Sequence, residues 1–214
     1  YQKWELCIID DVVTDPSIAQ FLRAEQARDS RIKVLRRDRN AQPAATSEAI
    51  LNIAGGAYIA IVDQDDLISP RALYEVVVRI AARPDADIVY SDEDRIDGGG
   101  HRSTPYFKPD WNPELMLGQN LIDHFGVYRR ALVQRIGGFR ASLEASQRYD
   151  LALRLVEATE PDNFLHVPKV LYHARDRAAS AIARQRSEID NERVVRDFLS
   201  RGPSRIQVQS VSSV

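Results

Sequence analysis

The sequence predicts an α/β domain, on three observations. Short continuous apolar runs of strand type alternate with stretches of helical spacing. Those runs lack the alternation of a one-sided sheet, so both faces are covered. Three of them run into carboxylate clusters, at Asp10-Asp11, Asp63-Gln64-Asp65-Asp66 and Asp92-Glu93-Asp94. Open α/β sheets bind ligands at the carboxyl ends of their strands, so the clusters mark where function is expected.

Leu6 to Ile9 is the first strand. Asp15-Pro16 behind it is an N-cap followed by proline in a first helical turn, with Ile18, Phe21 and Leu22 at helical spacing. Ile32 to Leu35 is a second strand, and a helix follows from about Ala44 to Ala54, stopped by Gly55-Gly56. Tyr58 to Val62 is the strongest buried strand of the chain. Ser69-Pro70 starts a helix that sets Leu73, Val76, Val77 and Ile80 on one face, and Ile88 to Tyr90 is the next strand, ending in Ser91-Asp92-Glu93-Asp94. Gly98 to Asn120, rich in Gly, Pro and aromatics, is expected to be a long ordered loop. A strand around Phe125 to Tyr128 precedes a helix near Ala131 to Ile136, closed by Gly137-Gly138. Tyr149 to Glu157 is a helix, Leu165 to His173 is extended and interrupted by Pro168, and Ser187 to Arg201 is an amphipathic helix capped by Gly202. With no repeat or interdomain linker, this is one α/β domain with a helical tail.

The chain has 214 residues, enough for a sizeable buried core. Lys plus Arg is 29 and Asp plus Glu is 31, a net charge of −2, which gives no global reason to bind nucleic acid or an anionic membrane. The cluster Arg36-Arg37-Asp38-Arg39 is read as a solvated turn rather than a phosphate track. No apolar run reaches the ~18 residues of a membrane span. The opening residues Tyr1 to Glu5 are not read as a signal peptide. Cys7 is the only cysteine, which excludes an internal disulfide and a cysteine-based zinc site. A cytosolic or cytosol-facing domain is expected.

Asp63-Gln64-Asp65 at the mouth of a buried strand is the first chemical candidate. Hard divalent cations such as Mg²⁺ and Mn²⁺ take oxygen ligands and keep positions open for phosphate oxygens; the same residues also read as a solvated turn leading to an N-cap. Asp10-Asp11 alone is a normal turn signal. His173, beside an apolar strand, reads equally as a structural histidine. Glu144 and Asp150 sit at a helix start, where carboxylates already favour the helix dipole.

Five stretches in register carry a resemblance. They are Trp4 to Asp11 (WELCIIDD), Tyr58 to Leu67 (YIAIVDQDDL), Asp87 to Asp94 (DIVYSDED) and Pro105 to Leu115 (PYFKPDWNPEL). The last runs from Gly137-Gly138-Phe139-Arg140 through Ser146 to Leu151 (SQRYDL) to His166 through His173 (HVPKVLYH). Together they resemble glycosyltransferase family 2, in the branch of bacterial cell-surface polysaccharide enzymes, across nearly the whole chain.

The resemblance implies a GT-A type mixed, mainly parallel sheet with helices on both faces, lacking the family's first strand and helix. Residues 1–175 would form that N-terminally incomplete domain, and 176–214 a C-terminal helical extension packing on it. It implies inverting transfer of a sugar from a nucleotide-diphosphate donor, by default a UDP-sugar, to a saccharide or lipid-linked saccharide acceptor. Asp10, Asp11, Asp63 and Asp65 would bind the donor. Asp65 and His173 would hold Mn²⁺ or Mg²⁺, a Lewis acid for the leaving group. Glu93, Asp94, Lys108, Trp111 and Asn120 would line the acceptor side, with Trp111 offering an apolar face to a sugar ring. No nucleic acid and no direct membrane span are implied; any approach to the inner membrane face would come through other parts of a longer protein.

Three positions depart from the family. Its general base is normally an Asp in a Gln-Asp-Tyr-Asp type motif, where a carboxylate removes the acceptor proton. Here that place is Arg148, which stays protonated and cannot act as that base. Asp150 and Glu144 remain nearby as catalytic candidates, each with its own structural task in the motif. Residues 41–48 replace a Gly-rich stretch, and Glu48 there repels phosphates. A sheet without its central strand leaves unpaired backbone groups; Arg205 to Gln209 has strand character, but nothing in the sequence assigns it to that gap. The alternative to an enzyme is an impaired nucleotide-sugar-binding or scaffold module of the same fold. A nucleotidyltransferase is disfavoured, since no Gly-rich, Lys-containing phosphate loop follows a first strand.

Overall fold

A computed structural model describes residues 1–11, 15–37, 49–140, 146–175 and 181–202, the side chains of Asp11, Arg37 and residues 181–187 excepted. Strand β1 (Leu6–Asp11) pairs in parallel with β2 (Ile32–Arg37), in register from Leu6↔Ile32 to Asp11↔Arg37. Helix α1 (Pro16–Arg28) connects them; the Asp15 carboxylate accepts from the Ser17 N–H at 2.8 Å and Pro16 opens the first turn, as the sequence predicts. Helix α2 is described over residues 49–53, and the rest of its predicted span lies outside the described residues.

The larger sheet runs β3-β7-β5-β8-β4, with β6 also on β5. Its strands are β3 (Tyr58–Ala60), β4 (Leu67–Ile68), β5 (Ile88–Ile96), β6 (Arg102–Tyr106), β7 (Val127–Arg129) and β8 (Phe164–Arg175). β5 and β8 pair in parallel along their lengths, while β3–β7, β5–β7, β5–β6 and β4–β8 are antiparallel. The sheet is therefore mixed, with a smaller parallel share than the strand–helix alternation implies, because β6 and β4 return without a crossover helix. Pro168 sits where β8 slips by two residues, Ser91 facing Val167 and Asp92 facing Val170, so its missing N–H breaks no ladder bond. Among the described residues β1 bonds only to β2, and β3 only to β7. Leu6 of β1 and Ile18 and Phe21 of α1 are exposed.

Alternate residues of β5 feed two cores, as the two-residue period of a strand requires. Ile88 and Tyr90 pack with Leu151, Leu153 and Leu155 of α6 (Gln147–Glu157) and with Val194, Val195 and Leu199 of α7 (Ala181–Arg201). Val89 packs with Ala72 and Val76 of α3 (Ala72–Ala82), and with Phe125 and Tyr172. Each fully buried leucine contributes roughly 1.5–3 kcal/mol. α5 (Arg130–Arg135) ends where Gly137 and Gly138 take φ of 79° and 67°, left-handed values that suit glycine. The predicted loop from Gly98 to Asn120 instead holds β6 and a short helix, α4 (Pro113–Gly118). β6 is an exposed edge strand with no apolar pattern to announce it; α4 had a legible start, since the Asn112 side chain caps the Leu115 N–H at 2.7 Å ahead of Pro113.

Candidate active site

β3 stops at Ala60, two residues short of its predicted end, and the chain swings through Asp63-Gln64-Asp65-Asp66 into β4. Pairing of Leu67 with His173 and Ile68 with Tyr172 carries this acidic turn to the end of β8. There the Tyr172 hydroxyl donates to Asp66 Oδ2 at 2.6 Å and accepts from the Asp63 N–H at 3.3 Å. Burial, then the bond to Asp66, push the Tyr172 phenol up, so it stays a donor. The Arg175 N–H donates to Asp66 Oδ1 and its Nε to the Asp65 carbonyl, both at 2.8 Å.

Arg148 reaches the same mouth from the first turn of α6. Its guanidinium pairs with the Asp63 carboxylate, and its Nη1 lies 3.5 Å from Asp123 Oδ1. Burial disfavours the cation, but the carboxylates of Asp63 and Asp123 outweigh it and raise the guanidinium above its ordinary value. A fixed positive charge thus stands beside the first carboxylate of the acidic triplet. Asp150 is buried, with Oδ1 on Arg140 at 3.1 Å and Oδ2 on Arg154 at 2.8 Å. Both oxygens are committed to holding α6, which leaves no base there. Glu144 lies outside the described residues.

Sequence reading ends a strand at Tyr90; β5 instead runs on through Asp92, Glu93 and Asp94, all buried. They are tolerated because each is paired. Asp92 Oδ1 accepts from the Lys108 N–H at 3.0 Å and lies 2.8 Å from His166 Nε2. Glu93 meets Lys108 Nζ and His124 Nδ1, each at 2.9 Å. Asp94 meets His173 Nδ1 and Arg102 Nε, each at 2.6 Å. Burial pushes the Glu93 carboxyl up, but the bond to His124 and the Lys108 charge bring it below its usual range.

Among the residues expected to bind the donor, Asp10 is buried on β1 and its Oδ2 accepts from Arg36 Nε at 3.1 Å, while its Oδ1 has no hydrogen-bond partner among the described residues. The Asp11 side chain, Glu48 and the segment Arg205 to Gln209 lie outside the described residues. Asn120 Oδ1 is also buried without a partner among them. Trp111, expected to offer a face to a sugar, lays its ring on Phe164 at 3.8 Å between centroids and packs against the core. Asp65 and His173 are brought to one end of the β4–β8 pair. With His173 Nδ1 on Asp94, its Nε2 is the nitrogen left to bind an ion. No group of three or more His, Cys, Asp or Glu side chains that could hold a metal gathers among the described residues. Two protein donors suit Mg²⁺ or Mn²⁺, which complete their shells with phosphate oxygens and water.

Asp123, His124 and Tyr172 escaped the sequence reading as site residues. His124 and Phe125 adopt φ of 58° and 50°, and strain of this kind in non-glycine residues clusters at functional sites. Gly126 is a usable signal, because a Cβ there would stand 2.3 Å from the Tyr128 hydroxyl.

The model of glycosyl transferase family 2 matches residues 1–137. A protein named y4gI from Sinorhizobium fredii is 45% identical over 188 residues, which is 88% of this chain and 21% of that protein. O-antigen biosynthesis protein RfbC of Myxococcus xanthus is 38% identical over 184 residues, covering 86% of this chain and 14% of its own length. The chain therefore spans a small fraction of these relatives. The crystal structure of S. aureus TarS 1–349 superposes with a TM-score of 0.63 at 17% identity, covering 91% of this chain and 61% of that one, a likeness of fold.

Proposed function

Because the chain belongs to glycosyl transferase family 2, we propose that it transfers a sugar, with inversion, from a nucleotide-diphosphate donor to a saccharide or lipid-linked saccharide acceptor in cell-surface polysaccharide synthesis. The observation that carries this reading is the Arg148–Asp63 contact, between residues 85 apart in sequence. It brings the first turn of α6 onto the acidic triplet that we read as the donor site. A UDP-sugar is the donor we favour as the family's default; the buried Oδ1 of Asp10, without a partner among the described residues, suits the ring N–H of a nucleobase, which uracil, thymine and guanine all carry. A Mn²⁺ or Mg²⁺ ion bound by Asp65 and His173 Nε2 supplies positive charge to the diphosphate leaving group. Tyr172 and Arg175 hold the acidic turn in shape, and Glu93 with Lys108 fixes the acceptor side. The link to polysaccharide synthesis comes from the name of the M. xanthus relative.

A non-catalytic, nucleotide-sugar-binding module is the second reading, favoured by Arg148 at the expected base position together with the other two departures from the family. No helix among the described residues is long and apolar enough to cross a membrane. The test is calorimetric titration of the chain with UDP, GDP and dTDP, each with and without Mn²⁺. Binding of UDP that tightens with Mn²⁺ is expected; no binding of any nucleotide overturns the donor site.

A further inference from the structure

Three consecutive carboxylates of β5 each face a histidine, and the three pairs are not equivalent. His166 has both ring nitrogens engaged, Nε2 on Asp92 at 2.8 Å and Nδ1 on Asp110 at 3.3 Å, and its side chain is 6% exposed. It is a structural crosslink. His173 belongs to the donor side already described. His124 is the most exposed of the three, at 22%, and its sequence neighbour Asp123 faces Arg148. Nδ1 lies 2.9 Å from Glu93 Oε1, and the tautomer that donates there has its lone pair on Nε2.

The turn that presents His124 is over-determined. Lys108, with a side chain 2% exposed, binds Glu93 and also donates to the Asp123 carbonyl at 2.7 Å, so one ammonium fixes both the carboxylate and the backbone before the histidine. Phe125 is anchored in the core with its ring near Tyr172, and the His124 ring stacks on Tyr172 at 5.5 Å between centroids. Among the described residues, Glu93 and Tyr172 touch it, and Lys108, Asp123 and Arg148 are charged groups held beside it by these contacts. A carboxylate on Nδ1 with the opposite nitrogen available is how an imidazole is held ready to take a proton.

We propose that His124, oriented by Glu93, is the general base of this domain, in the role that Arg148 cannot fill. The inference rests on the transferase reading above. In the step, the acceptor O–H bond breaks and its proton passes to His124 Nε2. The oxygen's electron pair forms the new bond to the anomeric carbon of the donor sugar. The bond from that carbon to the diphosphate breaks, and the nucleoside diphosphate leaves with its electrons.

The experiment measures UDP release by the whole chain from UDP-glucose, UDP-galactose and their N-acetyl forms, with water as acceptor, alongside UDP affinity. His124→Asn tolerates the left-handed backbone and can still donate to Glu93, but cannot take the proton. It is expected to lower release about 100-fold, the low end of what a positioned base contributes, with UDP affinity unchanged. Release at the parent rate overturns the proposal. So does a parent chain that binds UDP yet releases it from none of the four donors, and in that case the donor site stands. No UDP binding by the parent chain overturns the transferase reading and this inference together. If His124→Asn loses UDP binding, His124→Gly with added imidazole decides: restored release supports the proposal, and no restoration overturns it.

Discussion

The acidic turn at Asp63 to Asp66 and the acidic row at Asp92 to Asp94 have nearly the same composition and opposite physics. The turn lies between two short strands, with Gln64 and Asp65 exposed, and its partners include the Tyr172 hydroxyl and the Arg175 backbone and guanidinium of β8 and Arg148 of α6. The row lies inside a nine-residue strand, buried, with each carboxylate matched to a histidine and a second group. A carboxylate in a wet turn can exchange a protein partner for an ion or a phosphate-bound metal at small cost. One inside a sheet is held by desolvation to the partners it has. The turn is therefore suited to binding, and the row to aiming the groups paired with it.

The largest break in that contrast is Lys108→Met, which leaves Glu93 buried without its cation. Removing one partner of such a pair costs about 3–5 kcal/mol, to be read from the shift of the urea unfolding midpoint; a loss under about 1 kcal/mol, the value of an exposed pair, erases the distinction. Next is Arg148→Asp, which places a carboxylate where the family has its base. UDP release is expected to rise about 100-fold in the His124→Asn background, as for a restored base, and to rise in the parent chain as well; no change in either sinks the assignment of position 148. The smallest effect on stability belongs to Asp65→Ala. Unfolding should shift by less than about 0.5 kcal/mol, as for a surface substitution, while the Mn²⁺ dependence of UDP binding in calorimetry disappears.

Much of this molecule is legible in one dimension. The apolar run Ile88 to Tyr90 that opens β5 is continuous because both sheet faces are covered there, and the caps at Asp15-Pro16 and the stop at Gly137-Gly138 act through their nearest neighbours. The oddity of Arg148 is likewise visible from its motif. β6 and the two-residue β4 have no such signal, since edge strands take their pairing from the neighbour rather than from their own pattern. Trp111 illustrates the same limit: an exposed aromatic and one stacked on Phe164 are identical in sequence.

The α/β alternation, the acidic mouth at Asp63, the family resemblance and the missing carboxylate at 148 are all written in the order of residues. Hydrophobic period, capping and side-chain charge are properties of residues close together in the chain. Folding adds that β5 continues through its carboxylates, that Arg148 rests on Asp63, and that Glu93 holds His124 in a strained turn. Those contacts join residues 31 to 85 positions apart. Their geometry exists only after β5, β7 and β8 have paired, when desolvation forces every buried charge to find a partner.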